Sequence, residues 1–226
     1  MNVLVVAAHP DDELLGCGGT AARLAREGHS VYVAILGEGI TSRHPQRADA
    51  DTLALNKLRD CSQRVARLLG VKELTLHDLP DNRFDTMPLL DVIKIVEELI
   101  ERWRPAAIYT HHGGDLNLDH QILSRAVLTA TRPVKGHPVS ELYMFEITSS
   151  TEWAFQQFSP VFRPNMFVDI EGTLSLKLEG MKLYESEARE FPHPRSPEAL
   201  TAIARRWGSV VGRNAVEAFE AVRIIR

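Results

Sequence analysis

Near its N-terminus the chain reads Val3-Leu4-Val5-Val6-Ala7-Ala8-His9-Pro10-Asp11-Asp12-Glu13. The unbroken aliphatic run before His9 is typical of a strand buried on both faces, as in a parallel sheet. The proline, the three acidic residues and the following Leu14-Leu15 predict a turn into a helix N-terminus, where the helix dipole favours negative charge. The stretch therefore predicts the first strand and helix of an α/β fold.

The acidic turn is more than a helix cap. Capping accounts for one or two acidic residues, whereas Asp11, Asp12 and Glu13 beside His9 repel one another unless a cation lies among them. The turn also follows a strand, and ligands of open α/β sheets bind outside the carboxyl ends of the strands. We therefore favour a metal site over a purely structural cap.

Length and composition indicate an ordinary globular protein. The chain has 226 residues, of which 44% are hydrophobic and 25% charged, and we expect one domain over residues 1–226. A net charge of −4 disfavours nucleic acid and acidic membranes as partners. No apolar run approaches the roughly 20 residues of a membrane span, and the chain opens on a core strand, so we expect a cytoplasmic protein. Cys17 and Cys61 form no CxxC pair, which favours reduced thiols.

Strands and helices alternate along the rest of the chain. The pattern predicts strands at 30–36, 73–76, 106–110, 141–147 and 166–169. It predicts helices at 14–26, 53–69, 89–103, 122–131, 174–187 and 197–211. A closing stretch, 218–225, is either the end of a helix or an edge strand. The alternation predicts a single Rossmann-like three-layer α/β domain with a mostly parallel sheet.

A second polar cluster follows the strand at 106–110 and reads His111-His112-Gly113-Gly114-Asp115-Leu116-Asn117-Leu118-Asp119-His120. A catalytic zinc takes three protein ligands and keeps one position open for water. His9 and Asp12 can supply two ligands, and we choose His120 as the third because its loop opens on the same sheet edge. Asp11 is then free to act as a base. Two histidines and a carboxylate also describe an iron site, so Fe²⁺ stays open beside Zn²⁺.

The segment Ala8 to Glu13 also resembles the signature of the PIG-L/LmbE-like metal-dependent N-deacetylases. Five further segments are similar to that family: 79–82, 115–117, 149–153, 191–196 and 215–219. The resemblance implies that His9, Asp12 and His120 hold zinc, that Asp11 is the general base and that Asp119 orients catalytic groups. It implies a hydrolase that removes the N-acetyl group from a GlcNAc-type amino sugar, free or conjugated. A homo-oligomer is compatible with this family.

Asn117 departs from the family pattern. Many members have a histidine there, as the first residue of an HxDH motif. Asparagine can donate a hydrogen bond to an oxyanion but cannot donate a proton near neutral pH. The candidates for the acid are therefore His111, His112, His193 and Asp11 itself.

Substrate-binding residues follow from single positions of the resemblance. Members hold sugar hydroxyls with an arginine early in the second long helix and an aspartate after the third strand, and the nearest matches are Arg59 and Asp81. A helical arginine can equally pair with a neighbouring acid, so both interpretations of Arg59 stay open. Further candidates for substrate binding are Glu38, Arg43, Asp115 and His193.

Other functions are weaker alternatives. A non-hydrolytic Rossmann-like sugar or nucleotide-binding module would need a GxGxxG order, which Gly16-x-Gly18-Gly19 lacks. A phosphoesterase would usually hold two ions about 4 Å apart, and the sequence offers ligands for one. A hydrolase of the same fold that uses Fe²⁺ on another amide also remains possible. Trp153 and the phenylalanines that follow it could stack on a sugar or form a subunit interface.

Overall fold

The first strand, β1 (Asn2–Ala7), lies in the middle of a seven-stranded sheet in the computed structural model, which describes residues 1–226. The other strands are β2 (Ser30–Gly37), β3 (Glu73–Leu79), β4 (Ala107–His111), β5 (Glu141–Phe145), β6 (Met166–Asp169) and β7 (Val216–Ile224). The helices are α1 (Asp12–Arg26), α2 (Thr52–Leu69), α3 (Leu89–Trp103), α4 (Leu118–Ala130), α5 (Leu174–Leu183) and α6 (Pro197–Val211). Short 3₁₀ turns occupy Thr41–Arg43, Arg47–Asp49, Phe84–Thr86 and Glu152–Ala154.

The sheet has the strand order β3-β2-β1-β4-β5-β7-β6. The first five strands are parallel, and β7 runs antiparallel between β5 and β6. The chain leaves β1 toward β2 on one side and reaches β4 on the other, so the strand order reverses between β1 and β4. A crevice opens at such a switch point beyond the carboxyl ends of the strands, and both polar clusters of the sequence begin there.

The two faces of β1 are buried in different layers. Val3 and Val5 pack with α1, α2, α5 and α6, whereas Leu4 and Val6 pack with α3 and α4. All four side chains are buried, which explains why the strand has no polar residue. The prediction of a three-layer α/β fold with a mostly parallel sheet is confirmed.

The glycines of α1 serve close packing. A Cβ on Gly16 would overlap the Phe145 ring, and one on Gly19 would lie 2.9 Å from the Ile170 side chain. Small residues at these positions allow α1 to approach β5 and the residue that follows β6. The glycines are therefore explained by helix packing and do not indicate phosphate binding.

Several boundaries differ from the prediction. Residues 218–224 of the stretch 218–225 belong to an interior strand, because Phe219 of β7 pairs with Phe145 on one side and Met166 on the other. The helix predicted at 122–131 begins four residues earlier, at Leu118, because the Asn117 side chain caps it. The helix predicted at 174–187 ends at Leu183, and the third strand continues to Leu79. None of the helices combines the length and apolar character needed to cross a membrane.

Candidate metal centre and active site

The acidic turn after β1 has an unusual backbone conformation, and its carboxylates point in different directions. Asp11 has φ 101°, in the left-handed region that residues with a Cβ rarely adopt. Its N–H donates to Glu13 Oε2 at 3.1 Å, and the hydroxyl of Tyr184 donates to Glu13 Oε1 at 2.6 Å. Asp12 Oδ2 accepts a hydrogen bond from the His9 N–H at 2.8 Å. The turn is therefore fixed by hydrogen bonds on both sides of Asp11.

Three side chains from the two polar clusters converge and could hold a metal ion. Asp12 Oδ2 lies 3.3 Å from His9 Nδ1 and 3.1 Å from His120 Nε2. The two imidazole nitrogens lie 3.3 Å from each other. A tetrahedral zinc with ligand distances near 2.0–2.1 Å would separate its donor atoms by about 3.3 Å. The three atoms therefore form one face of a tetrahedron of the right size.

Each imidazole contacts a carboxylate through its other nitrogen. His9 Nε2 lies 2.9 Å from Asp119 Oδ2, and Asp119 Oδ1 accepts the Phe84 N–H at 2.9 Å. His120 Nδ1 lies 3.1 Å from Asp115 Oδ1. Carboxylates in these positions fix the tautomer and orientation of metal-binding histidines. A second possible metal-binding group, formed by Asp81 and Asp119 with His9, would require the same imidazole to bridge two ions.

The carboxylates around the imidazoles stabilise positive charge in the site. Burial lowers the pKa of His120, but Asp12 and Asp115 outweigh burial and raise that pKa to about 9. Burial raises the pKa of Asp115, but contacts with His120 and two hydroxyl groups lower it to about 2. A divalent cation among the three donor atoms would supply the charge that these carboxylates favour.

A small polar cavity of about 160 Å³ opens beside the three donor atoms. Seventeen residues line it and only two of them are hydrophobic. Hydroxyl, amide and carboxyl groups from the loops after β2 and β3 form one wall: Ser42 donates to Asp81 Oδ2 at 2.6 Å, and Asn82 donates to Asp81 Oδ1 at 3.1 Å. The lining is suited to a hydroxyl-rich ligand.

Asp11 forms another wall of the cavity. Arg195 Nη1 donates to Asp11 Oδ2 at 2.7 Å, whereas Asp11 Oδ1 accepts no hydrogen bond from the protein. Burial raises the pKa of the Asp11 carboxyl well above its usual range, and the Arg195 guanidinium opposes that shift. Glu187 Oε2 lies 3.3 Å from Arg195 Nη1 and also accepts from Arg43 Nη2 at 2.7 Å.

The structure brings most of the predicted site residues together. The cavity is lined by His9, Asp11, Asp12, Arg43, Asp81, Asn117 and His120. Asp119 and Asp115 lie directly behind the two imidazoles, so Asp115 contacts a metal-binding candidate where we expected it to contact substrate.

Three predicted substrate residues lie outside the cavity. Arg59 is exposed on α2, because the buried face of that helix passes through the neighbouring Leu58. The buried Glu38 carboxylate is occupied by Arg47, at 2.7 and 2.8 Å. His193 packs against Trp153 with ring centroids 5.6 Å apart. In the structure, therefore, these three side chains do not line the cavity beside the donor atoms.

Two of the histidines considered as the acid are buried behind the cavity. His111 accepts the Ala8 N–H at Nε2, at 2.8 Å, and stacks on His120 with ring centroids 4.0 Å apart. Burial lowers the pKa of His111 well below its usual value, so the ring supports His120 as a neutral imidazole. His112 donates to the Pro160 carbonyl at 2.8 Å and contacts Glu220 at 2.9 Å. Neither ring lines the cavity.

Asn117 has a structural role as well as a place in the cavity wall. Its Oδ1 accepts the Asp119 N–H at 2.8 Å and caps α4. Its Nδ2 donates one hydrogen to Asn82 Oδ1 at 2.9 Å. The second amide hydrogen has no acceptor in the protein.

The cavity is also lined by three residues that the sequence pattern does not predict as site residues: Ser42, Glu187 and Arg195. Arg195 lies in the segment 191–196, in which the sequence predicts His193 as the site residue. An arginine in a proline-rich segment immediately before the helix-capping Ser196 was the available signal, but its contact with Asp11 spans 184 positions.

The chain is similar to known proteins. A family model described as PIG-L: GlcNAc-PI de-N-acetylase matches residues 4–131. The diacetylchitobiose deacetylase of Thermococcus kodakarensis is 26% identical over 231 residues, covering 96% of this chain and 81% of that protein.

Solved structures show the same fold. N,N'-diacetylchitobiose deacetylase from Pyrococcus horikoshii has a TM-score of 0.77 at 19% identity, covering 98% of this chain and 84% of that one. The 4-carboxy-2-hydroxymuconate hydratase from Pseudomonas putida KT2440 has a TM-score of 0.76 at 20% identity, covering 100% and 98%. Because a deacetylase and a hydratase share this fold, the fold alone does not determine the reaction. The family model, however, spans more than half of the sequence, so the expected resemblance is confirmed and the chain belongs to the PIG-L (GlcNAc-PI de-N-acetylase) family of N-deacetylases.

Proposed function

We propose that this protein is a zinc-dependent hydrolase that removes the N-acetyl group from a GlcNAc-type amino sugar or its conjugate. The observation that carries the proposal is the triangle of His9, Asp12 and His120 donor atoms, with the Asp11 carboxylate in the same cavity. The family model and the diacetylchitobiose deacetylase relative support an acetamido sugar as substrate. Site residues extend from His9 to Arg195, so we infer that residues 1–226 act as one domain.

The donor set favours zinc. Two imidazole nitrogens and one carboxylate oxygen suit zinc or iron and are unlike the all-oxygen sites of calcium and magnesium. When bound, zinc would polarise the amide carbonyl and lower the pKa of a water molecule toward about 7. Asp119 and Asp115 would keep the two imidazoles in the tautomers that leave His9 Nδ1 and His120 Nε2 free for the ion.

Asp11 has the position of the base. Its Oδ1 is free of protein hydrogen bonds and can accept the proton of the attacking water. Hydrolysis then needs a proton on the sugar nitrogen as the C–N bond breaks, which yields a free amine and acetate. Since His111, His112 and His193 do not line the cavity, we infer that Asp11 Oδ1 returns the same proton to the nitrogen.

Substrate contacts come from the remaining walls. The unassigned amide hydrogen of Asn117 can donate to the carbonyl oxygen as negative charge develops there. Asp81, held by Ser42 and Asn82, can accept hydrogen bonds from sugar hydroxyls. A cavity of about 160 Å³ accommodates the acetamido group and part of the sugar, so the remainder of a conjugate would lie outside it.

The test combines metal analysis with amine release from a panel of N-acetylglucosamine derivatives. We expect about one zinc per chain and amine release from the wild type. Asp11→Asn should retain zinc and lose turnover, whereas His120→Ala should lose both. Arg59→Ala, an exposed site on α2 outside the cavity, is the matched control and should retain both.

The alternatives give different results. Zinc without amine release from any acetamido sugar would contradict the substrate class, and tight sugar binding in that case would indicate a binding module. Higher turnover with Fe²⁺ than with Zn²⁺ after reconstitution would identify iron as the metal. A chain that binds no metal would contradict the whole proposal.

A further inference from the structure

We propose that Arg195 is a positioning residue that fixes the Asp11 carboxylate with Oδ2 turned to the protein and Oδ1 turned to the substrate. The inference rests on the proposed function, because it concerns the base of that reaction. It assigns a role in turnover to a residue more than 180 positions from the metal motif, in the loop between α5 and α6.

The guanidinium of Arg195 is held in one orientation by three partners. Nη1 donates to Asp11 Oδ2 at 2.7 Å, and Nε donates to Ser149 Oγ at 2.9 Å. Nη1 also lies 3.3 Å from Glu187 Oε2. Because a guanidinium is planar, contacts at Nε and Nη1 determine the plane of the whole group. Arg195 can therefore hold one carboxylate oxygen in a defined direction.

Ser149 is itself fixed by a strained and anchored loop. It has φ 69°, and its N–H donates to Glu152 Oε1 at 2.6 Å. The hydroxyl groups of Ser150 and Thr151 donate to the Asp115 carboxylate, which also contacts His120. The loop that orients Arg195 is thus attached to the same carboxylate that supports a candidate metal ligand.

The backbone of Arg195 is anchored as well. Its N–H donates to His193 Nδ1 at 3.1 Å, and the His193 ring packs edge-on against Trp153. The next residue, Ser196, caps α6 by accepting the Ala199 N–H at 3.0 Å. His193 lies outside the cavity because its ring contacts Trp153 and the Arg195 N–H. It thereby fixes the backbone from which the Arg195 side chain extends to Asp11.

No other cationic side chain contacts Asp11. Arg43 lines the same cavity, but its hydrogen bonds go to Glu187 alone. A lysine at position 195 could not contact Asp11 and Ser149 with a fixed plane. Arginine remains charged at all accessible pH values and donates no proton to a leaving group, so Arg195 acts by directing Asp11.

The test compares steady-state kinetics of Arg195→Ala and Arg205→Ala on an N-acetylglucosamine derivative that the wild type hydrolyses. For Arg195→Ala we expect kcat to fall about 100-fold, as for an ångström-scale misplacement of a catalytic group, with KM and zinc content little changed. Guanidinium chloride at tens of millimolar, against matched sodium chloride, should restore part of kcat. The kcat of Arg195→Lys should be lower than that of Arg195→Ala in the presence of guanidinium. Arg205→Ala, at an exposed position of α6 outside the cavity, should keep kcat within about threefold and should not respond to guanidinium.

A second variant distinguishes a positioning role from misfolding. A crystal structure tests the inference even if the proposed function is wrong. Ser149→Ala removes only the Nε contact and should lower kcat in the same direction by a smaller factor. A crystal structure of Arg195→Ala should show the Asp11 carboxylate rotated, a result that does not depend on any substrate. An unchanged Asp11 carboxylate, or a kcat equal to that of the wild type, would overturn the inference while the deacetylase proposal stands. A wild type without turnover would contradict the deacetylase proposal, and the crystal structure would still decide the inference.

Discussion

The Nε2 atom of His9 lies 2.9 Å from Oδ2 of Asp119, although 110 positions separate the two residues in the chain. The pair joins the carboxyl end of β1 to the first turn of α4 across the switch point of the sheet. Asp119 is completely buried, and its other oxygen accepts the Phe84 N–H. Burial and this hydrogen bond therefore hold the Asp119 carboxylate against His9.

Asp119→Asn tests the contribution of this pair to metal binding. The amide keeps the size of the side chain but no longer provides a carboxylate for the His9 N–H. We expect zinc affinity to fall about 10- to 100-fold, the usual cost of changing a carboxylate that supports a metal-bound histidine. Competition with a chromogenic chelator measures the affinity. Asp91→Asn, at an exposed position of α3, is the control, and an equal loss in both variants would refute the role.

Gly16→Ala tests the close approach of α1 to β5. A Cβ at this position would overlap the buried Phe145 ring, so ring or helix must shift. We expect a loss of about 1–3 kcal/mol in the free energy of unfolding, as for other overpacked cores. Urea denaturation measures it. Gly172→Ala is the control because a Cβ there would meet no atom within 4 Å.

The sequence predicted the parts of the fold that depend on local pattern. α3 has the predicted bounds, Leu89–Trp103, because its apolar residues recur with helical spacing and Pro105 follows. β7 was mistaken for an edge strand or a helix end because its position depends on β5 and β6, which pair with it from distant parts of the chain. Strand neighbours of this kind leave no local signal.

The same distinction applies to the site. His9, Asp12 and His120 were selected because polar residues after parallel strands meet at one edge of the sheet. Arg59 was selected by position within the family pattern, but its direction depends on the rotation of α2 about its axis. Arg195 contacts Asp11 through a loop that has no regular structure. Long-range contacts from irregular loops could not be predicted from periodicity.

Tyr184→Phe tests the network that fixes the backbone of Asp11. The Tyr184 hydroxyl contacts Glu13 Oε1 at 2.6 Å and Ser62 Oγ at 3.0 Å, and the side chain is completely buried. Removing the hydroxyl leaves the buried Glu13 Oε1 without its donor, so we expect the free energy of unfolding to fall by about 1–3 kcal/mol. Urea denaturation measures this loss.

Tyr143→Phe is the matched control for Tyr184→Phe. It also removes a tyrosine–glutamate hydrogen bond, to Glu141 at 2.7 Å, but far from the acidic turn. We expect Tyr184→Phe to lower kcat for amide hydrolysis as well as stability, whereas Tyr143→Phe should leave kcat unchanged. Equal kcat values in the two variants would show that the network stabilises the fold without supporting Asp11.

Glu146→Gln tests a pH dependence that is independent of the metal centre. Burial raises the pKa of Glu146, although the Trp207 indole donates to its Oε1 at 2.6 Å. Glu152 adds to the rise, while Lys177 and Arg206 oppose it. An acid with a raised pKa in the folded state contributes stability that is present below its unfolded value of 4.5 and lost as pH rises through the folded value.

Glutamine keeps the acceptor for Trp207 and does not ionise. The free energy of unfolding of Glu146→Gln minus that of the wild type should therefore increase as pH rises above 4.5. Urea denaturation across this range measures the difference, with Glu98→Gln, at an exposed position of α3, as the matched control. A difference that stays constant or falls with rising pH would show that the folded environment does not favour the protonated carboxyl.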